Sequence, residues 1–508
     1  MREKGLVAIL IGVLAAGAFV FLSSGYALKA SAGKSVRQYH NGLERDGVYA
    51  DPSLTKASAA GFHADPAFKA RIPGAVYAQL LYFAGPGGKG EIIAASEQDV
   101  VAAFDAATGR TLWQKKLGHP VPLSRLPCGD IDPLGITGTP VISKKNGTIY
   151  LDAMVTPDGG KTKKHLVFAL SLKDGHVLRG WPVDISARAR YGKLRFNSGY
   201  QNQRGALALV KGTLYVPYGG HFGDCGPYHG WLVSIPVSHP ANIKAWATGA
   251  QGGGSWAPGG VASDGSDVFI STGNTKNTAN AAKWAGGEAV IRFRGGPVFS
   301  GSPKDFFAPE NWRQLDAADT DLGGEGPVLV DLPGSRPTRL IIALGKDGKI
   351  YLINRDNMGG IGRPVAVARV AGNALIGSAA AYTTDKGTYV AFAGKGLLCP
   401  AGQSGDFMAV RIIPGAPPSV RTAWCAWQNG RGSPMVTTTN GHSEAIVWSA
   451  GAEGDNRLHG FDGNTGRVVY SGSGSGNVIG KVRRFQSPVL AGGRIYIAAD
   501  GIIKAFAR

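Results

Sequence analysis

The chain has 508 residues, 77 of them glycine and 29 proline, and carries 54 Lys and Arg against 35 Asp and Glu, a formal charge of +19. Its four cysteines show no C-x-x-C or C-x-x-C-H spacing, which argues against a zinc ribbon, thioredoxin chemistry and covalent haem. The basic residues are scattered apart from two clusters, 188–195 and 481–484, and no aromatics interleave with these, so nucleic acid is disfavoured while an anionic ligand suits the charge.

The chain opens with Met1-Arg2-Glu3-Lys4 and an apolar run over 5–22, the pattern of an export signal. We assign residues 1–32 to a signal peptide or a retained signal anchor, since a run of this length lies at the border between the two. The expected location is the periplasm or the exterior, free or anchored in the inner membrane. No cysteine lies near that border, which speaks against a lipoprotein. In an exported protein the four cysteines read as two disulfides. Residues 33–66 are polar and irregular, a tether or a wrapped arm.

From residue 67 to 508 the chain repeats one unit. Its clearest copy, 99–118, reads DVVAAFDAATGRTLWQKKLG: a strand of small, β-branched and aromatic residues, a turn, and a return strand. Residues 459–470 repeat it, and 166–178 and 349–358 do so more loosely. Eight inner strands are expected to begin at 75, 139, 205, 258, 326, 378, 433 and 487, each followed by a second strand, at a spacing of about fifty to seventy residues that suits four-stranded propeller blades. The fold class is therefore all-β, an eight-bladed propeller of antiparallel blades. The last blade stops one strand short, and 68–72 is expected to supply its outermost strand and close the ring.

Units ending in A-x-D-x-x-T-G-x-x-x-W, as in Ala103 to Trp113, resemble the repeats of the pyrroloquinoline quinone (PQQ) propeller superfamily. That superfamily includes eight-bladed quinoprotein alcohol dehydrogenases and a non-catalytic outer-membrane assembly lipoprotein, so fold and activity are separable. The resemblance implies that Trp256, upstream of Thr272-Gly273-Asn274, forms the floor under a quinone and that Asn274 ligates Ca²⁺. It implies a base at Asp319 or Asp321, ahead of Val328-Leu329-Val330-Asp331, and a quinone-contacting cation at Lys346. Two features depart from the dehydrogenases. Cys128 has no adjacent cysteine, and the region 221–230 offers only Asp224 where their Ca²⁺ glutamate is expected. Affinity for Ca²⁺ follows ligand charge, so the departures favour a ligand- or protein-binding scaffold in the cell envelope. The alternative is a PQQ- and Ca²⁺-dependent dehydrogenase of a small alcohol or sugar.

If strands run from the axis outward, Trp256, Asn274, Asp319, Asp321, Asp224 and all four cysteines fall in loops on one face. Cys399 and Cys425 are loop neighbours around the sixth blade and are expected to pair, leaving Cys128 with Cys225. Both bridges should staple the mouth of the funnel and the 188–195 cluster should rim it. That face is where an envelope protein or an anionic ligand would bind.

Overall fold

The D-x-x-T-G turn folds as its chemistry dictates. In the computed structural model, which describes residues 34–85, 89–276, 278 and 283–508, the Asp105 carboxylate accepts from the Ala107 and Thr108 amides at 3.1 and 2.9 Å and from the Thr108 hydroxyl at 2.8 Å. Gly109 then turns the chain at φ +77°, where a side chain would be strained. Asp462 and Gly466 repeat this arrangement.

The tryptophan of the unit locks neighbouring units together. Trp113 donates Nε1 to Leu172 O at 3.0 Å, and a Cβ on Gly175 would come within 2.6 Å of its ring. Trp424 bonds Gly463 O at 3.0 Å and covers Gly466 in the same manner. The turn glycine of one unit is the seat for the aromatic ring of the unit before it, which explains why the two residues recur together.

Nine sheets result among the described residues: eight blades, mostly four-stranded and antiparallel, and one two-stranded hairpin. The inner strands of the blades are Leu81–Ala84, Val141–Ser143, Ala208–Val210, Ala262–Ser263, Val328–Asp331, Ala380–Thr384, Met435–Thr438 and Val489–Ala491, heading blades 1 to 8 in chain order. Apolar faces pack blade against blade. For instance, Ile93, Ala95 and Val101 of blade 1 share a cluster with Ile149, Leu151 and Leu170 of blade 2.

The ring closes through the N-terminal segment, but the outer strand lies just upstream of the one expected at 68–72. Blade 8 contributes Val489–Ala491, Arg494–Ala499 and Ile502–Ala507, and His63–Ala64 pairs antiparallel with Ala507 and Phe506 as its outer strand. The expected 68–72 segment continues this edge through a bridge between Ala70 and Ile503. Residues 1–32 lie outside the described residues. Among the described residues no helix is long and apolar enough to cross a membrane.

Residues 35–50 run around the inner strands. Val36 bridges Tyr82 of blade 1, and Arg37 O accepts from Ile142 N of blade 2 at 2.7 Å. Leu43, Glu44 and Asp46 carbonyls accept from Ser263, Leu329 and Ala381 of blades 4, 5 and 6, and Val48–Ala50 pairs in parallel with blade 7. Buried Arg45 completes the circuit by donating to Leu207 O ahead of blade 3 at 2.9 Å, to Val261 O at 2.9 Å and to Tyr39 O at 2.8 Å. Every other backbone contact in this series falls within or next to an inner strand, past the lead-in residues. The arm therefore lies on the side of the shaft away from the lead-in loops.

Candidate functional site

Those lead-in loops, together with the loops after second strands, enclose a cavity of about 350 Å³. It lies within the size range of small-molecule sites. Trp256, Asn274, Asp319, Asp321, Lys346 and Asp224, drawn from lead-ins and turns far apart in the chain, all line it. The ring brings together the residues that the sequence singled out for this face, the cysteines and the 188–195 cluster aside.

Asp321 is the hub. Its side chain is 2% exposed; Oδ1 accepts from the Asn274 amide at 2.7 Å, and Oδ2 accepts from Trp256 Nε1 at 3.2 Å and pairs with Lys346 Nζ at 2.7 Å. Lys346 also reaches Asp319 Oδ1 at 2.8 Å and lies 5.3 Å from the Trp256 ring centroid. Burial raises the Asp321 carboxyl above its ordinary range, while Lys346 and the Asn274 amide pull it back. Burial opposes the charge on Lys346, but Asp321 and Asp319 prevail and hold its ammonium above the usual value. Behind this group, buried Glu288 accepts from Leu322 N at 2.6 Å, and burial, reinforced by Asp321, pushes its carboxyl well up.

Local structure explains the placement. The helix Trp312–Ala318 ends at Asp319 in a left-handed cap, φ +51°, which turns the chain so that Asp321 points inward. On the same helix Asp316 accepts from Thr275 N at 2.6 Å and Thr275 Oγ1 at 2.8 Å, fixing the loop that carries Asn274. A Cβ on Gly273 would come within 2.9 Å of the Asp321 carboxylate, so the close approach needs glycine.

Several lining groups carry no motif in the sequence: Tyr77, Asp130, Arg204, His221, Ile376 and Phe485. Arg204 is the most informative. Its guanidinium lies 5.8 Å from the Trp256 ring and 6.0 Å from the Phe485 ring, its Nε is shut off from solvent without a partner, and it makes no ion pair among the described residues. Burial lowers its pKa, with the Asp130 charge acting against that. Arg484, by contrast, is held by Glu453 at 3.0 Å and Asp130 at 3.7 Å. His221 is neutral near pH 7, because burial pushes it down to about 4. No local signature marks Arg204: it stands one residue ahead of the expected inner-strand start at 205, and its place in the lining comes only from where that lead-in meets the others.

The disulfides are Cys128–Cys225 and Cys399–Cys425, with Cα separations of 6.0 and 5.7 Å. The first abuts the pocket: a Cβ on lining residue Gly223 would lie 3.4 Å from Cys128 Sγ. The second does not staple the mouth. Cys425 belongs to the outer strand Ser419–Ala426 of blade 6, away from the cavity lining. Nor does the 188–195 cluster rim the funnel. It forms a helix and hairpin against the outer strand of blade 3, with Tyr191 6.3 Å from Trp246, because the connection from blade 2 runs outward before returning to the axis. The other basic cluster does reach the pocket, through Arg484.

The donors suit a flat anion better than calcium. Trp256 offers an indole, Arg204 an uncommitted cation, and Ile131, Ile376 and Phe485 an apolar wall. Asp224, in turn, accepts from the Tyr228 hydroxyl at 2.5 Å, and both oxygens of Asp321 are engaged. Among the described residues no group of three His, Cys, Asp or Glu side chains could hold a metal ion. The residues present therefore fit PQQ as a planar polyanion and do not assemble a Ca²⁺ cage.

No family model matches the chain, and no curated protein matches it by sequence. Solved structures do. Quinohemoprotein alcohol dehydrogenase ADHIIG from Pseudomonas putida HK5 superposes with a TM-score of 0.64 at 14% identity, over 93% of this chain and 80% of that one. The quinohemoprotein alcohol dehydrogenase from Comamonas testosteroni gives 0.61 at 14% identity, over 93% and 80%. BamB from Moraxella catarrhalis gives 0.50 at 14% identity, over 88% and 98%. At these identities the likeness is one of fold. The chain is an eight-bladed β-propeller of the kind that builds the quinoprotein dehydrogenases and BamB.

Proposed function

We propose that the protein is an extracytoplasmic binding propeller whose loop-face pocket takes a small, flat, anionic ligand without needing a metal ion. One observation carries the reading: Arg204 stands beside the Trp256 indole with no carboxylate partner among the described residues, while Lys346 and Arg484 are already paired. An aromatic floor with a free guanidinium recognises a planar carboxylate by stacking and by paired charge-assisted hydrogen bonds. Two disulfides and the export-type N-terminus support a location outside the cytoplasm.

The second reading, a PQQ-dependent dehydrogenase, is favoured by the convergence of Trp256, Asn274, Asp321 and Lys346 on one floor. PQQ, when bound, would supply the hydride acceptor. Trp256 would stack on it, Lys346 and Arg204 would meet its anionic oxygens, and Asp321 would accept the proton of an alcohol, a task its raised pKa suits. Lys346 holds that carboxylate in place.

Titrating PQQ into the protein with EDTA or with Ca²⁺, followed by tryptophan fluorescence, tests the binding reading. Saturable quenching that is equal in both buffers supports it. Absence of binding by PQQ and by a panel of aromatic carboxylates sinks it and leaves a protein-docking face. Reduction of a dye by an alcohol panel, lost in Asp321→Asn, would decide for the enzyme.

A further inference from the structure

Directly beyond the pocket, the shaft of the propeller contains a second polar site that the ligand reading does not use. Glu325, Ser378, Ser433 and Gln486 stand two or three residues ahead of the inner strands of blades 5, 6, 7 and 8, and so occupy corresponding places on four consecutive blades. The lead-ins touch one another. Glu325 bridges Gly377 in parallel, Ser433 N donates to Gln486 O at 2.9 Å, and a Cβ on Gly377 would lie 3.4 Å from Ser433 Oγ. From the other end the arm inserts Tyr39, stacked on His40 at 4.3 Å, with its hydroxyl against those of Ser378 and Ser433 and within electrostatic reach of Glu325.

All five side chains are 2% exposed or less. Both carboxylate oxygens of Glu325 and the Gln486 amide oxygen have no hydrogen-bond partner among the described residues, and the hydroxyls of Tyr39, Ser378 and Ser433 have none there beyond one another. Arg45, the buried cation of the arm, gives its donors to backbone carbonyls and makes no ion pair with Glu325. An ionised carboxylate in such a place needs a counter-charge. Six oxygens and no nitrogen donor make a hard-cation environment.

We propose that the shaft holds a monovalent cation, sodium or potassium, between the Glu325 carboxylate and the hydroxyls of Tyr39, Ser378 and Ser433, with the Gln486 carbonyl oxygen as a further ligand. Charge selects the valence. One carboxylate neutralises one positive charge, whereas a divalent ion would leave a net charge buried on the axis. The ion would tie the lead-ins of blades 5 to 8 to the arm on the axis, so its effect is on stability and lies outside the ligand pocket.

Two measurements test this on the whole protein. Crystals grown with rubidium chloride as the sole alkali salt should give an anomalous peak on the axis within reach of Glu325 and Tyr39. Calorimetry at constant ionic strength should show a Tm about 1–4 °C higher in sodium or potassium chloride than in N-methylglucamine chloride, and Glu325→Gln should abolish that difference. No anomalous peak, with equal Tm in all salts, would overturn the proposal in favour of a protonated, hydrated Glu325. A peak obtained only after a calcium soak would overturn the monovalent assignment. Should Glu325→Gln fail to fold, the wild-type scattering and Ser433→Ala decide. Ser433→Ala retains the carboxylate and is expected to narrow the salt difference.

Discussion

The Lys346 ammonium and the Asp321 carboxylate meet at 2.7 Å on the pocket floor, and each is held from a second side, Lys346 by Asp319 and Asp321 by Trp256 and the Asn274 amide. The pair joins the lead-in to blade 5 with the turn after its second strand and neutralises a carboxylate that is 2% exposed.

Removing only the cation should therefore be costly. Lys346→Met leaves Asp321 buried and unpaired and is expected to lower unfolding stability by about 3–5 kcal/mol. Adding Asp321→Asn should recover much of that loss, because no charge is then stranded. Urea unfolding of the four proteins in the double-mutant cycle measures both numbers, and a single-mutant loss below about 1 kcal/mol would mean that the pair is screened by solvent.

Ligand affinity should depend on Arg204 and Trp256 in separable ways. Arg204→Gln removes the charge while keeping a polar side chain, and PQQ should bind about 10- to 100-fold more weakly, the worth of a charge-assisted hydrogen bond of about 1.5–3 kcal/mol. Trp256→Ala should lose both the affinity and the fluorescence response. An unchanged dissociation constant in Arg204→Gln would remove the guanidinium from the recognition site.

Stability should fall as pH rises from 6.5 to 9. Burial pushes Asp99 up to about 9 and Glu97 up to about 7, and the two carboxyls reinforce the shift at Asp99, where Asp152 adds to it. A folded acid with a raised pKa binds more protons than the unfolded chain, so stability is lost between the unfolded and folded pKa values. His40 and His221, pushed down to about 4 by burial, act in the opposite sense, but the unfolded imidazole has lost most of its protons by about pH 7.5, so they oppose the decline only at the start of the window. Thermal melts across this window should decline in wild type and decline less steeply in Asp99→Asn, where Glu97 and Glu325, pushed up to about 7 and about 8 by burial, still contribute; a flat wild-type profile would contradict the assignment.

The two disulfides should differ in worth because they close loops of different length. With sequence separations of 97 and 26, loop-closure entropy predicts about 4.7 kcal/mol for Cys128–Cys225 and about 3.5 kcal/mol for Cys399–Cys425. Guanidinium unfolding of each double serine variant measures the order. A larger loss for the Cys399–Cys425 pair would show that native contacts outweigh loop entropy.

Arg45 should be among the least replaceable residues of the arm. Arg45→Met leaves the carbonyls of Tyr39, Leu207 and Val261 without their donor, and a loss of about 3 kcal/mol or more is expected, at about 1 kcal/mol or more for each unsatisfied group. Arg45→Lys should be milder if one carbonyl is still reached. Differential scanning calorimetry separates the two outcomes.

What the sequence by itself determined is local and repetitive. Alternating strand runs, the Asp105 and Asp462 turns, the glycines at 109 and 466 and the tryptophans at 113 and 424 act within a unit or between neighbours, so eight blades and the closure by the N-terminal segment were legible from the pattern. The pocket was legible only in part. Trp256, Asn274, Asp321 and Lys346 lie in recognisable turns, but Arg204, Phe485 and the Glu325 shaft carry no local signature, since their meaning comes from the axis on which distant lead-ins converge. The same cause sent the 188–195 cluster outward and the Cys399–Cys425 bridge to an outer strand: position along a blade is a local property, whereas distance from the axis is set by how each connection packs after the ring has closed.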